Sequence, residues 1–325
     1  VSVDGSIPIS QATGFGGETV FHHTPLTPVF PSVRIPAILN AFDPRVPQNT
    51  HPLQHSVNKF GRDCIKSMPT HIIDTAITDI TRLISSRLPN RKLRIFNLEQ
   101  SILGLPEKGF EKINIKTSPG LPWVWKKVKA GKKTWIEVDE EGELSLLADE
   151  VKSAFDAFDN QISKGIIPKN SFYEFPKDEL RPIEKALTRT RSITVMNFIF
   201  SLLYRKYVLD LESVLHNLAD GTFPCCVGIN PHSKAWSNMF NELTKRDTVG
   251  NDFDISNWDG HFPGWLFDAT VRVVNNLYDD EHAVARQAIF LNACFGYTNF
   301  MDVVLQKNRG MPSGFAGTAS MNTLG

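Results

Sequence analysis

Two short cassettes near the end of the chain hold the residues best suited to chemistry. The first runs Asn251-Asp252-Phe253-Asp254-Ile255-Ser256-Asn257-Trp258-Asp259-Gly260. Asp254 and Asp259 flank Ser256-Asn257, a pair that favours a turn. Carboxylates are the hard oxygen ligands that Mg²⁺ takes, and a polar group just past the turn can read ribose hydroxyls. The second cassette is Gly310-Met311-Pro312-Ser313-Gly314-Phe315-Ala316-Gly317-Thr318, with Asn322 beyond. Its glycines permit a tight loop with close backbone approach, and on a helix Thr318 and Asn322 share one face. Together the cassettes point to nucleotidyl transfer. Each also has a plainer reading: Asp and Asn mark ordinary turns, and a glycine loop capped by Thr opens many helices.

Cations for such a reaction lie upstream. Between Glu174 and Arg191, Lys177, Arg181, Lys185 and Arg189 recur at intervals of four. They could form a solvated helix face, but Pro182 interrupts one continuous helix. A folded-back basic finger lining a channel fits better, since a triphosphate needs several convergent cations. A second basic run, Lys126, Lys127, Lys129, Lys132 and Lys133, is interleaved with Trp123, Trp125 and Trp135. That pattern suits single-stranded nucleic acid, and it equally describes an exposed hairpin.

The elements that must position these residues follow from periodicity and breakers. Residues 1–52 contain eight prolines and should be extended and draped over the rest. Residues 53–88 read as amphipathic helix broken or kinked at Pro69. Asp149 to Lys164, Val195 to Leu218, Pro263 to Tyr278 and Glu281 to Cys294 are predicted helices. Phe172 to Ile193 alternates. Thr248 to Ile255 and Asn299 to Gln306 are predicted strands. On the first of these, Asp252 and Asp254 would share one face and Phe253 and Ile255 the other.

Composition excludes several classes. Hydrophobic residues make up 41% and charged residues 22% of 325, which describes a globular chain with room for two or three cores. Lys+Arg and Asp+Glu balance at 35 each, so any grip on nucleic acid must be local. The longest apolar stretch, Val195 to Leu209, is broken by Asn197, Ser201, Arg205 and Lys206 and should not span a bilayer. Cys64, Cys225, Cys226 and Cys294 contain no Cys-x-x-Cys, which suits a reducing compartment. His51 and His55, with Cys64 beyond, could begin a zinc site on a helix, although Pro52 and the missing fourth ligand favour solvent-facing histidines. Gly14-Phe15-Gly16-Gly17 lacks the Gly-Lys-Ser/Thr of a phosphate loop. The chain begins with Val and is read as a portion of something longer.

On these residues the chain resembles the RNA-dependent RNA polymerases of picorna-like positive-strand RNA viruses. Phe253-Asp254 through Asp259-Gly260 resembles the family's motif A. Gly310 to Gly314, with Thr318 and Asn322, resembles motif B. Lys177-Asp178-Glu179-Leu180-Arg181 through Arg191 resembles motif F, and Thr117-Ser118-Pro119-Gly120-Leu121-Pro122 resembles motif G. Pro36 to Leu39 with Asp43-Pro44-Arg45, and Val227 to Pro231 with Trp236, match the family more weakly.

The resemblance implies a mixed α/β (α+β) right-hand polymerase. Residues 1–191 would be fingers, 192–264 palm with motif A, 265–309 an insertion between fingers and palm, and 310–325 the start of motif B. Asp254 would bind catalytic Mg²⁺, with Mn²⁺ as an alternative. Asp259, Thr318 and Asn322 would select the 2′-hydroxyl, with Ser313 and Gly314 in the loop that tracks template and nucleotide. Lys177, Arg181, Lys185, Arg189 and Arg191 would hold the triphosphate, and Thr117, Ser118 and Gly120 would guide the entering template. The family's Gly-Asp-Asp motif does not occur in these 325 residues, nor does a thumb, so the chain alone should not polymerise. Expected partners are RNA template and primer, ribonucleoside triphosphates and other viral replication proteins. The expected location is the host cytoplasm, at membrane-associated replication complexes, with no membrane span in the chain itself. The rival readings are a reverse transcriptase-like palm enzyme and a non-catalytic RNA-binding module.

Overall fold

Proline and register decide how the first third of the chain is laid down. The computed structural model describes residues 2–8, 16–30, 32–40, 42–46, 52–58, 60, 66–88 and 92–325. His51, Cys64 and Gly14-Phe15 lie outside the described residues. The elements begin with strands β1 (Ser2–Ser6) and β2 (Arg34–Pro36) and helices α1 (Gln54–Asn58), α2 (Thr70–Ser85), α3 (Leu98–Leu103) and α4 (Trp123–Lys126). Next come β3 (Ile136–Val138), β4 (Leu144–Leu147), α5 (Asp149–Ile162), β5 (Ser171–Pro176), β6 (Leu180–Pro182), α6 (Ile183–Ala186) and β7 (Ser192–Val195). The remainder is α7 (Phe198–Asn217), α8 (Ala235–Leu243), α9 (Trp258–His261), α10 (Gly264–Leu277), α11 (Ala283–Phe295), β8 (Tyr297–Phe300), β9 (Val303–Gln306) and α12 (Thr318–Leu324).

The core forms around α7. Apolar residues occur on all sides of this helix, so it is buried on nearly every face. Asn197 caps it, accepting from the Ile199 amide at 3.0 Å. Asp210 is fully buried on α7, and Arg94 meets it with its amide at 2.6 Å and its guanidinium at 3.2 Å. A buried charge needs such a partner. Helices α5, α3 and α11 pack on α7, and α2 packs on α10.

One mixed sheet has the order β1-β9-β8-β5-β7, with β5 parallel to β8 and the other pairings antiparallel. The proline-rich arm is draped as its composition predicts. Its β2 pairs antiparallel with β6. The Ala37 amide donates to the Glu179 carbonyl at 3.0 Å, and Thr190 Oγ1 donates to the Ile38 carbonyl at 2.8 Å. The arm thus covers the base of the basic finger.

Pro69 ends the coil before α2, as expected. Two expectations fail, and one element was not foreseen. Residues 251–255 form no strand, and Phe253 is 91% exposed. A strand needs a paired edge and a covered face, and no described residue supplies either there. The single strand expected over 299–306 is a hairpin, with Met301 in the left-handed region at its turn. Helix α8 was not anticipated, although Trp236, Met239, Phe240 and Leu243 recur at helical spacing; none of its residues is buried.

Candidate active site

A cavity of about 550 Å³ lies between the basic finger and the two cassettes. Arg181, Lys185, Arg189 and Arg191 line it from the finger, Asp254 and Asp259 from the acidic cassette, and Ser313 and Asn322 from the glycine cassette and its helix. Lys177, Gly314, Thr318 and Asp252 are not among its lining residues.

Pro182 breaks the finger, as its sequence predicts. β6 ends there, one turn of helix follows in α6, and the chain returns along β7. At the base, the Lys177 amide donates to the Arg191 carbonyl at 2.8 Å. Glu179 sits among the cations, 3.4 Å from Lys177 Nζ, 3.7 Å from Arg181 Nε and 3.5 Å from Arg191 Nη1. Burial pulls the Arg181 guanidinium below its ordinary value; Glu179 opposes this, and Arg191 and Arg189 reinforce it. A guanidinium stays charged even so, and this crowding makes the finger a sink for anionic oxygen. Glu179 was not singled out in the sequence, where it is one of three acids, with Asp178 and Glu184, inside a ladder of bases.

The acidic cassette approaches as exposed irregular chain and turns at Asn257, whose φ is 55°. One helical turn, α9, then presents Asp259 toward the cavity. The two cassettes touch. The Gly310 amide donates to the Phe262 carbonyl at 2.8 Å. A Cβ on Gly310 would lie 2.8 Å from the Asp259 carbonyl oxygen, and the φ of 91° also requires glycine. Trp258 Nε1 donates to Asn322 Oδ1 at 3.2 Å.

Packing forces the other glycines of the loop. A Cβ on Gly314 would lie 2.0 Å from the Thr194 carbonyl oxygen, and one on Gly317 would lie 2.2 Å from the Tyr204 hydroxyl. Beneath the loop, Tyr204 donates to Glu212 Oε1 at 2.6 Å and meets the Phe315 ring edge-on at 5.0 Å. Burial pushes the Glu212 carboxyl up, against hydrogen bonds from Ser320 and Tyr204. Thr318 departs from its expected orientation. Its hydroxyl donates to the Pro312 and Phe315 carbonyls at 2.7 and 2.8 Å, adding a second bond to carbonyls that the Phe315 and Thr318 amides already meet.

Thr117, Ser118 and Gly120 form a separate loop, exposed at Thr117 and buried at Gly120, that does not line this cavity. Ser118 Oγ and the Tyr173 hydroxyl share a hydrogen bond of 2.7 Å. A Cβ on Gly120 would meet the Met196 carbonyl oxygen at 2.2 Å. Lys132 is buried, not part of an open basic run. Its ammonium donates to the Asn114 and Thr117 carbonyls at 3.0 and 3.1 Å, and burial lowers its pKa to about 8. Trp123 and Trp135 are buried too. Trp123 donates to Asn197 Oδ1 at 3.1 Å, and Trp135 donates to Glu150. Of the three tryptophans, only Trp125 is exposed.

Among the described residues no group of three or more His, Cys, Asp or Glu converges as a metal cluster. Asp254 and Asp259 nevertheless offer hard carboxylate oxygens to one cavity. Mg²⁺ commonly takes one or two carboxylates and completes its shell with water and substrate phosphate, so this donor set fits that ion. Among the described residues no helix is long and apolar enough to cross a membrane.

Comparison with known proteins bears on the family and the fold. Residues 25–325 match the family described as viral RNA-dependent RNA polymerase. The genome polyprotein of Rice tungro spherical virus (strain Vt6) is 29% identical over 304 residues, covering 89% of this chain and 9% of that polyprotein. The RNA1 polyprotein of Tomato ringspot virus (isolate raspberry) is 29% identical over 319 residues, covering 92% and 14%. The chain thus spans about a tenth of the length of these relatives. Among solved structures, a Sicinivirus 3Dpol RNA dependent RNA polymerase superposes with a TM-score of 0.78 at 19% identity, covering 100% of this chain and 66% of that one.

Proposed function

The chain belongs to the viral RNA-dependent RNA polymerase family, and on that premise we propose that its cavity is the triphosphate and ribose site of RNA-directed RNA synthesis. The observation that carries this reading is one cavity shared by four finger cations, two carboxylates and Asn322. In the reaction, a primer 3′-hydroxyl attacks the α-phosphate of a ribonucleoside triphosphate. The new P–O bond forms as the bond to the bridging oxygen breaks, and pyrophosphate leaves. Such chemistry depends mostly on positioning and charge neutralisation.

Arg181, Lys185, Arg189 and Arg191 bind the triphosphate oxygens, with Lys177 supporting them through Glu179. Asp254 holds Mg²⁺, or Mn²⁺ in its place, and the ion supplies charge neutralisation at the reacting phosphate. Asp259 and Asn322 read the 2′-hydroxyl. Ser313 and Gly314 follow template and nucleotide, while Thr318 serves the loop by closing its carbonyls. Thr117, Ser118 and Gly120 guide the template strand on their own surface. The fingers would comprise residues 1–191 and the palm segments 192–264 and 310–325, with 265–309 inserted. RNA template and primer and other viral replication proteins are the partners, in the host cytoplasm at membrane-associated complexes.

A reverse transcriptase-like enzyme must reject the hydroxyl that Asp259 and Asn322 bond in this reading. An RNA-binding module would use only the cations. Asp254→Asn in the full-length protein separates these readings. Metal-dependent nucleotide binding is expected to fall while RNA affinity persists; metal-dependent binding that survives intact would remove Asp254 from its role.

A further inference from the structure

Strand β7 lies at the edge of the five-stranded sheet. An edge strand presents backbone N–H and C=O groups that lack a strand partner. Here the glycine cassette takes those of Thr194. The Thr194 amide donates to Ser313 Oγ at 2.9 Å, and the Thr194 carbonyl abuts Gly314 so closely that no Cβ fits.

The other side of Thr194 is engaged as well. In the register of β5 and β7, Thr194 stands opposite Glu174. Its backbone groups point away from β5, so the pair is of the non-hydrogen-bonded kind, in which side chains approach most closely. Thr194 Oγ1 donates to Glu174 Oε1 at 2.8 Å. Ser192 Oγ donates to the other carboxylate oxygen, and Thr298 Oγ1 of β8 reaches Oε1 at 3.4 Å. Glu174 is only 1% exposed. Burying a carboxylate is costly unless it is hydrogen-bonded, and an apolar residue would fill a sheet face at lower cost. The fold alone therefore gives no reason for an acid at this position.

Arg191 leads directly into β7. This short strand thus begins one residue after a cation of the cavity and carries the docking point of the Ser313–Gly314 turn. We propose that Glu174 and Thr194 are a positioning pair that fixes this turn against β7, directly after Arg191, so that ribose selection depends on two residues that do not line the nucleotide cavity. This rests on the polymerase reading and names what holds that site in register. Without the Thr194 hydroxyl, Glu174 loses one of its two donors from β7, and the Thr194 backbone that receives Ser313 is anchored less firmly on its inner side.

The test uses the full-length protein with Thr194→Val, which keeps shape and loses the hydroxyl, Thr194→Ser, which keeps the hydroxyl, and Glu174→Gln as a second disruption. Two quantities are read. One is amide hydrogen exchange at Phe315 and Thr318, whose N–H groups close the loop onto the Pro312 and Phe315 carbonyls. The other is the ratio of ribonucleotide to deoxyribonucleotide incorporation. Thr194→Val and Glu174→Gln are expected to speed loop exchange about tenfold, the scale of one lost buried hydrogen bond, and to reduce discrimination by a similar factor. Thr194→Ser is expected to restore both. Unchanged loop exchange in the folded Val and Gln variants overturns the proposal, as does a Ser variant as impaired as Val. If the loop loosens as expected but the unsubstituted protein incorporates no nucleotide, the positioning pair stands and the polymerase reading falls.

Discussion

Trp258 and Asn322, 64 positions apart in sequence, are joined by one hydrogen bond of 3.2 Å from the indole nitrogen to the amide oxygen. This bond fixes the amide orientation of Asn322 and ties the acidic cassette to α12. Trp258 also packs edge-on against Phe262 at 5.1 Å, so the indole is held independently of Asn322.

Trp258→Phe keeps that ring contact and removes the donor. We expect KM for ribonucleoside triphosphates to rise about fivefold, the worth of one hydrogen bond of roughly 1 kcal/mol, with RNA affinity unchanged. Steady-state incorporation kinetics check this.

Gly317→Ala tests the close approach to Tyr204. The new Cβ would stand 2.2 Å from a hydroxyl that Glu212 holds in place. Overpacking of this kind costs about 1–3 kcal/mol, so denaturant unfolding should shift to lower midpoint. Gly314→Ala meets backbone at 2.0 Å and is expected to cost at least as much.

Glu179→Gln removes the carboxylate around which Lys177, Arg181 and Arg191 gather. Net positive charge at the finger rises while the cations lose their organiser. Triphosphate affinity is expected to hold or tighten, and kcat to fall about tenfold. Nucleotide titration paired with single-turnover kinetics separates the two effects.

Lys132 gives a pH signature. Burial lowers its pKa from 10.5 to about 8 in the folded chain. Below about 8 the group is protonated in both states, and the folded state carries the full cost of a buried charge. Between about 8 and 10.5 the unfolded chain binds more protons, so stability rises with pH across that window. Relative to Lys132→Met, the unsubstituted protein should gain stability between pH 7.5 and pH 9.5 in parallel denaturant titrations.

Local rules carried most of the fold. Pro69 and Pro182 broke elements where fixed φ and a missing donor require it, and apolar periodicity located α5, α7, α10 and α11. The sequence pattern at 248–255 failed because strand-like alternation says nothing of the partner that a ladder needs. Lys132 and Trp135 looked like members of an open basic-aromatic run because Lys132 is covered by the loop at Asn114 and Thr117, and Trp135 by Glu150 of α5 and Phe198 of α7, contacts that the spacing within the run does not show. Thr318 and Asn322 share a helix face by spacing, yet only Asn322 lines the cavity, because spacing cannot weigh the cavity against the loop's own carbonyls. Glu174 and Thr194 left no local signal, since their meeting depends on strand register.

The most direct measurement is a double-mutant cycle on ribonucleoside triphosphate binding with Mg²⁺, using Arg191→Ala and Asp254→Asn in the full-length protein. The two residues are 63 positions apart in sequence and line one cavity. If both act on one nucleotide, the double variant should depart from the product of the single effects by at least about fivefold. Effects that simply multiply would mean that the finger and the acidic cassette do not serve the same nucleotide.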